Sequence, residues 1–160
     1  MPRSHRRRAP LKPMDIQRQR EQAATTPRLW IRLTRRCNNH CFFCHDTPAQ
    51  DGSVIPQKDI RELLRQGRRQ KYGRVVLSGG EATLHPHFLD MVAYAKKIGY
   101  QHIQVITNGR MFAYNDFLAV AIEAGLHEVT FSIHGHTARL HDKQTRVPGS
   151  FEQALAWLQH

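Results

Sequence analysis

The three cysteines of the chain fall within one eight-residue stretch, Cys37-Asn38-Asn39-His40-Cys41-Phe42-Phe43-Cys44. An odd number of thiols so closely spaced makes a poor disulfide framework, and three neighbours rarely all pack as inert side chains. The stretch reads as a metal site. In a four-iron cubane, for which cysteine thiolates are the usual ligands, three cysteines leave one iron open. An open iron can chelate a substrate or cofactor, whereas a four-cysteine cluster would be limited mostly to electron transfer. The competing metal is zinc, with His40 or His45 completing a tetrahedral Cys3His set; local spacing alone does not identify the metal.

A second constellation is Leu77-Ser78-Gly79-Gly80-Glu81-Ala82-Thr83-Leu84-His85-Pro86. Two glycines let backbone approach a ligand without Cβ interference, and Glu81 can accept hydrogen bonds from an ammonium group, so the loop suits an amino-acid-like ligand. By itself such a segment is more often an ordinary turn. Ile106-Thr107-Asn108-Gly109 adds donors and acceptors for a ribose or carboxylate, with an Asn-Gly turn as the plainer reading. In Thr130-Phe131-Ser132-Ile133-His134-Gly135, alternation sets Thr130, Ser132 and His134 on one face. The polar segment from His136 to Phe151 holds His136 and His141, a weak imitation of a metal site that reads better as a solvated loop.

These segments need a scaffold that brings them together. From residue 29, β-rich runs alternate with amphipathic ones, the pattern of βα units on a parallel sheet. Strands are predicted at Leu29–Thr34, Arg74–Ser78, His102–Thr107 and Glu128–Ile133. Helices are predicted over Asp59–Gln70 (Ile60, Leu63 and Leu64 on one face), Phe88–Ile98 (Phe88, Val92, Ala95 and Ile98 inward) and about Asn115–Ala124, the last two stopped by Gly99 and Gly125. Ser150 and Gln153 form a capping-box pattern for a fourth helix. The fold class is α/β, and each chemical segment sits at the C-terminal end of a strand, where such folds gather their sites. A complete eight-unit barrel takes about 250 residues, so residues 29–160 amount to a partial (β/α) barrel of about four units, with C-terminal units missing and a sheet edge left open.

The net charge of +11 is uneven: residues 1–28 carry eight Lys or Arg against two acids, a net +6. With few large apolar residues this opening stretch is expected to be a basic, disordered tail. Solvation is its plainest explanation; nucleic acid or another acidic partner is the alternative. No apolar run reaches the ~20 residues of a membrane span, and no secretory signal opens the chain. The default compartment is the cytoplasm.

The Cys-x-x-x-Cys-x-x-Cys spacing with aromatic Phe43 before the last cysteine, followed one βα unit later by Gly-Gly-Glu, resembles the radical S-adenosylmethionine (radical SAM) superfamily. The order of the two motifs is what separates this reading from zinc. The resemblance covers about residues 29–155 and implies a [4Fe-4S] cluster on Cys37, Cys41 and Cys44. Its open iron would hold the amino and carboxylate groups of S-adenosylmethionine. Phe43 would pack near the adenine; Gly79, Gly80 and Glu81 match the family's GGEP element, with Ala82 in place of proline. Asn108 belongs to a TNG-like turn, and Ser132 matches a cofactor-contacting position; His134 stands where many relatives carry an acid. The implied activity is reductive cleavage to a 5′-deoxyadenosyl radical that abstracts a substrate hydrogen, driven by a one-electron donor such as flavodoxin or ferredoxin. The segment after the fourth strand resembles that of members acting on peptides and other large substrates. In the GTP-cyclising branch a first-strand arginine grips substrate, and Trp30 at that position argues against the branch. Two further readings are an inactive cluster-binding module and a zinc-dependent nucleic-acid binder using the tail.

Overall fold

A computed structural model describes residues 27–114 and 116–159. The basic tail thus falls outside the described residues, except that Arg28 opens the first strand rather than closing the tail. Four strands, β1 (Arg28–Arg32), β2 (Arg74–Ser78), β3 (His102–Thr107) and β4 (Glu128–Phe131), form one sheet in the order 1-2-3-4. All three pairings are parallel. The connections carry helices α1 (Gln57–Arg69), α2 (Phe88–Lys97) and α3 (Phe117–Ala124); α4 (Ala138–Thr145) and α5 (Ser150–Leu155) follow β4. This is an α/β fold built as the first part of a (β/α) barrel.

Pleating divides the strand residues between two faces. Ile31, Leu33, Val75, Leu77, Ile103 and Val105 turn toward the helices and meet Ile60, Leu64, Met91, Val92 and Ala95 in one buried core. Burial of each large aliphatic there contributes about 1.5–3 kcal/mol. On the opposite face Trp30 Nε1 donates to Ser78 Oγ at 2.6 Å, and Arg74 donates to Gln104 and Glu128 at 2.7 Å each. The Gln104 amide donates in turn to Thr130. This second face mixes these polar groups with the buried Val76, unlike the fully apolar strands of a sheet covered by helices on both sides.

The helix ends follow the sequence signals at Gly99 and Gly125, which take φ of +94° and +115°. Three expectations are corrected. Leu63 is exposed rather than on the buried stripe of α1. The solvated loop over 136–151 is largely the helix α4, capped by Thr137, whose hydroxyl accepts from Leu140 N. Ser150 does not cap α5: Gly149 is its N-cap, and Ser150 Oγ instead donates to Asp142 Oδ1 at 2.9 Å. Asp142 also accepts the N–H groups of Gly149 and Phe151, so a carboxylate from the preceding helix does the capping. Among the described residues no helix is long and apolar enough to cross a membrane.

Candidate metal centre and cofactor pocket

The cysteine loop leaves β1 at the rim formed by the C-terminal strand ends. Its backbone is tied to α4, with His40 N donating to Thr145 O at 2.9 Å and Phe42 N to Gln144 O at 3.3 Å. Arg110, just beyond the β3 turn, holds it from the other side. The guanidinium donates to Asn38 O, to Asn39 Oδ1 and to Gln153 Oε1 of α5. Sequence reading passed over Arg110, although a long cation directly after Thr-Asn-Gly at a strand end was the available signal.

Beside this loop lies a pocket of about 240 Å³. All three cysteines line it, with Gly79, Gly80 and Glu81 from the loop after β2, Asn108 from the turn after β3, Ser132 after β4, and Phe43. The nine residues singled out from sequence therefore meet at one cavity, joined by Asn39, Gln50 and His134. His134 lies edge-on to Phe43 with ring centroids 4.7 Å apart. His40 and His45 do not line the pocket.

Glu81 organises the rim. It is 1% exposed; Oε1 accepts from Thr83 N, Thr83 Oγ1 and Thr107 Oγ1, and Oε2 accepts from Asn108 N at 2.7 Å. Asn108 Nδ2 passes the connection on to Asn38 Oδ1 at 2.7 Å. A chain of hydrogen bonds thus links the loop after β2, the turn after β3 and the cysteine loop. Among the described residues no Lys, Arg or His pairs with Glu81, and Oε2 keeps capacity for a further donor such as an ammonium.

The two glycines serve a different purpose from the one sequence suggested. A Cβ on Gly79 would stand 2.7 Å from Thr34 O, and one on Gly80 would strike Arg36 O. They admit the backbone leaving β1, which accepts Gly80 N at Thr34 O and Glu81 N at Arg36 O. Their bareness positions the cysteine loop rather than making room for a ligand.

The electrostatics suit a cationic centre. Burial pushes the Cys37 thiol up, and the charges of Glu81, Cys41 and Cys44 push it further, against the N–H of Asn39. Burial and then Cys44 raise Cys41. Three thiolates beside a buried carboxylate repel one another until positive metal charge joins them. All three cysteines line the one pocket, and a cubane takes its cysteine ligands on separate irons.

Residues 31–160 match the family model of the radical SAM superfamily. The chain belongs to the radical SAM superfamily. It is 32% identical over 120 residues to the "Probable GTP 3',8-cyclase" of Saccharolobus solfataricus, which covers 74% of this chain and 38% of the relative. The protein of the same name from Methanothermobacter thermautotrophicus is 31% identical over 105 residues, 65% of this chain and 34% of its own length. The chain thus matches little more than a third of these curated relatives. Radical SAM members are enzymes that in general use a [4Fe-4S] cluster and S-adenosylmethionine. Trp30, at the position of the substrate-gripping arginine of the GTP-cyclising branch, has its indole hydrogen-bonded to Ser78 and is 57% exposed.

Proposed function

We propose that Cys37, Cys41 and Cys44 hold a [4Fe-4S] cluster beside a seat for S-adenosylmethionine, and that the protein generates a radical for hydrogen abstraction. When bound, cluster and cofactor supply a one-electron reductive cleavage of the sulfonium to methionine and a 5′-deoxyadenosyl radical. The observation that carries this reading is the shared pocket of the three thiols with Gly79, Gly80, Glu81, Asn108, Ser132 and Phe43.

The chain's own residues would bind and orient. Glu81 Oε2 and the loop carbonyls accept from the methionine ammonium, Phe43 offers a ring to the adenine, and Asn108 and Ser132 offer polar atoms to the ribose or carboxylate. Arg110 and α4 hold the cysteine loop still. The experiment is anaerobic incubation of the iron- and sulfide-reconstituted chain with S-adenosylmethionine and dithionite. Slow uncoupled formation of 5′-deoxyadenosine supports the reading; intact cofactor beside a reduced cluster favours an inactive cluster-binding module.

A specific observation favours a substrate. The similarity to proteins named for GTP cyclisation supports GTP, and Trp30 on the open sheet face is the residue that would have to receive it in place of an arginine. Peptide substrates are the alternative, and a GTP titration monitored by Trp fluorescence separates them.

A further inference from the structure

We propose that His141 is a positioning residue: it ties the rim after β4 to α4, the helix that also holds the cysteine loop, and so fixes two walls of the pocket against each other. The inference rests on the radical SAM reading above for the ligand that the pocket takes.

His141 belongs to α4 and is fully buried. It does not line the pocket, but His134 does, and His134 N donates to His141 Nδ1 at 3.1 Å. The two imidazoles stack with centroids 5.8 Å apart and planes 23° from parallel. On its other side His134 meets Phe43, the residue before Cys44. The backbone of His134 and one face of its ring are thus set by His141.

The far end of α4 serves the opposite wall. Gln144 and Thr145 close the helix, where carbonyls have no intrahelical partner, and those carbonyls accept Phe42 N and His40 N of the cysteine loop. One short helix therefore spans from the rim after β4 to the thiols. Gly135 lets the chain leave β4 close against it. A Cβ there would stand 2.6 Å from His141 N and 2.8 Å from Leu140 Cβ.

Packing does not account for a histidine at 141. Among the described residues its Nε2 has no hydrogen-bond partner, and a buried polar atom left so lowers stability. A phenylalanine would fill the site beside Phe151 without that loss. What histidine adds is the acceptor at Nδ1. Burial pushes this imidazole below its usual value, which keeps the ring neutral and Nδ1 able to accept. Without that bond the His134 wall is free to shift relative to Phe43 and the three cysteines.

The test compares His141→Phe, which keeps a ring and loses the acceptor, with His141→Asn, whose Oδ1 stands as many bonds from Cα as Nδ1 does. In the metal-free chain, hydrogen exchange at the His134 amide should quicken about tenfold in His141→Phe and return toward wild type in His141→Asn. The amide of buried Val105 should keep its protection in both. In the reconstituted chain, iron content should match wild type. Affinity for S-adenosylmethionine, measured by equilibrium dialysis, should fall about fivefold in His141→Phe and recover in His141→Asn. Gly135→Ala, which forces the same contact apart without altering the imidazole, should weaken affinity likewise. Wild-type affinity in His141→Phe, or an unchanged exchange rate at His134, would overturn the proposal. So would an equal loss of affinity in both His141 variants, the mark of a role in packing alone. If reconstituted wild type takes up no S-adenosylmethionine, the proposed function fails, while the exchange rates of the metal-free chain still decide whether His141 holds the rim.

Discussion

The carboxylate of Glu81 accepts the backbone N–H of Asn108 at 2.7 Å across 27 residues of sequence. That bond makes the loop after β2 and the turn after β3 one rigid unit, with the cysteine loop attached through Asn38.

Replacing Glu81 tests the unit. In Glu81→Gln one acceptor oxygen becomes an amide nitrogen facing groups that already donate, in a fully buried setting. Unfolding free energy should fall by about 2 kcal/mol or more, measured by urea denaturation. Thr107→Val, which removes one donor, should cost about 1 kcal/mol. An unchanged urea midpoint for Glu81→Gln would mean that the carboxylate does not bind the rim together.

Glycine substitutions separate close approach from backbone conformation. Gly80→Ala drives a methyl into Arg36 O, and the backbone there must move, so a loss of about 1–3 kcal/mol is expected. Gly149 faces open space but has φ of +79°; Gly149→Ala should cost about 1–2 kcal/mol through conformation alone. Crystal structures of the two variants would distinguish them, since only Gly80→Ala should displace the cysteine loop.

Arg110→Met would leave Asn38 O and Asn39 Oδ1 without their guanidinium donor. The loop between Cys37 and Cys41 should then open more often. Iodoacetamide should alkylate the metal-free thiols several-fold faster than in wild type, while Arg110→Lys should fall between the two because a lysine cannot span all three acceptors.

Much of the scaffold was legible in the sequence because its signals were local. β2 and β3 run where alternation and β-branched residues set them, and Gly99 and Gly125 end their helices by positive φ. The meeting of Cys37, Gly80 and Asn108 followed from motif order along a parallel sheet. What escaped was non-local. Arg110 matters because Asn38, 72 residues away, lies opposite it. The cap of α5 comes from Asp142 on another helix, and His141 is buried because α5 and the turn at Gly135 close over it. The segment from 136 to 151 has the composition of a loop, yet tertiary contacts order it.

Stability should depend on pH through histidines. Burial lowers His127, His134 and His141 from the usual imidazole value. The unfolded chain therefore binds more protons than the folded one below about pH 6.5, and stability rises with pH through that window. Their contribution is fully present above the unfolded pKa and is lost as pH falls through the folded one. The urea midpoint should drop between about pH 7 and 5, and His141→Phe should flatten the drop.

Electron paramagnetic resonance of the anaerobically reconstituted, dithionite-reduced chain, recorded with and without S-adenosylmethionine, tests the cluster on Cys37, Cys41 and Cys44 most directly. A [4Fe-4S]⁺ signal of about one spin per chain is expected that changes shape when the cofactor binds the open iron, and that is lost in Cys44→Ala. A signal indifferent to S-adenosylmethionine, or a chain that takes up stoichiometric zinc and builds no cluster, would contradict it.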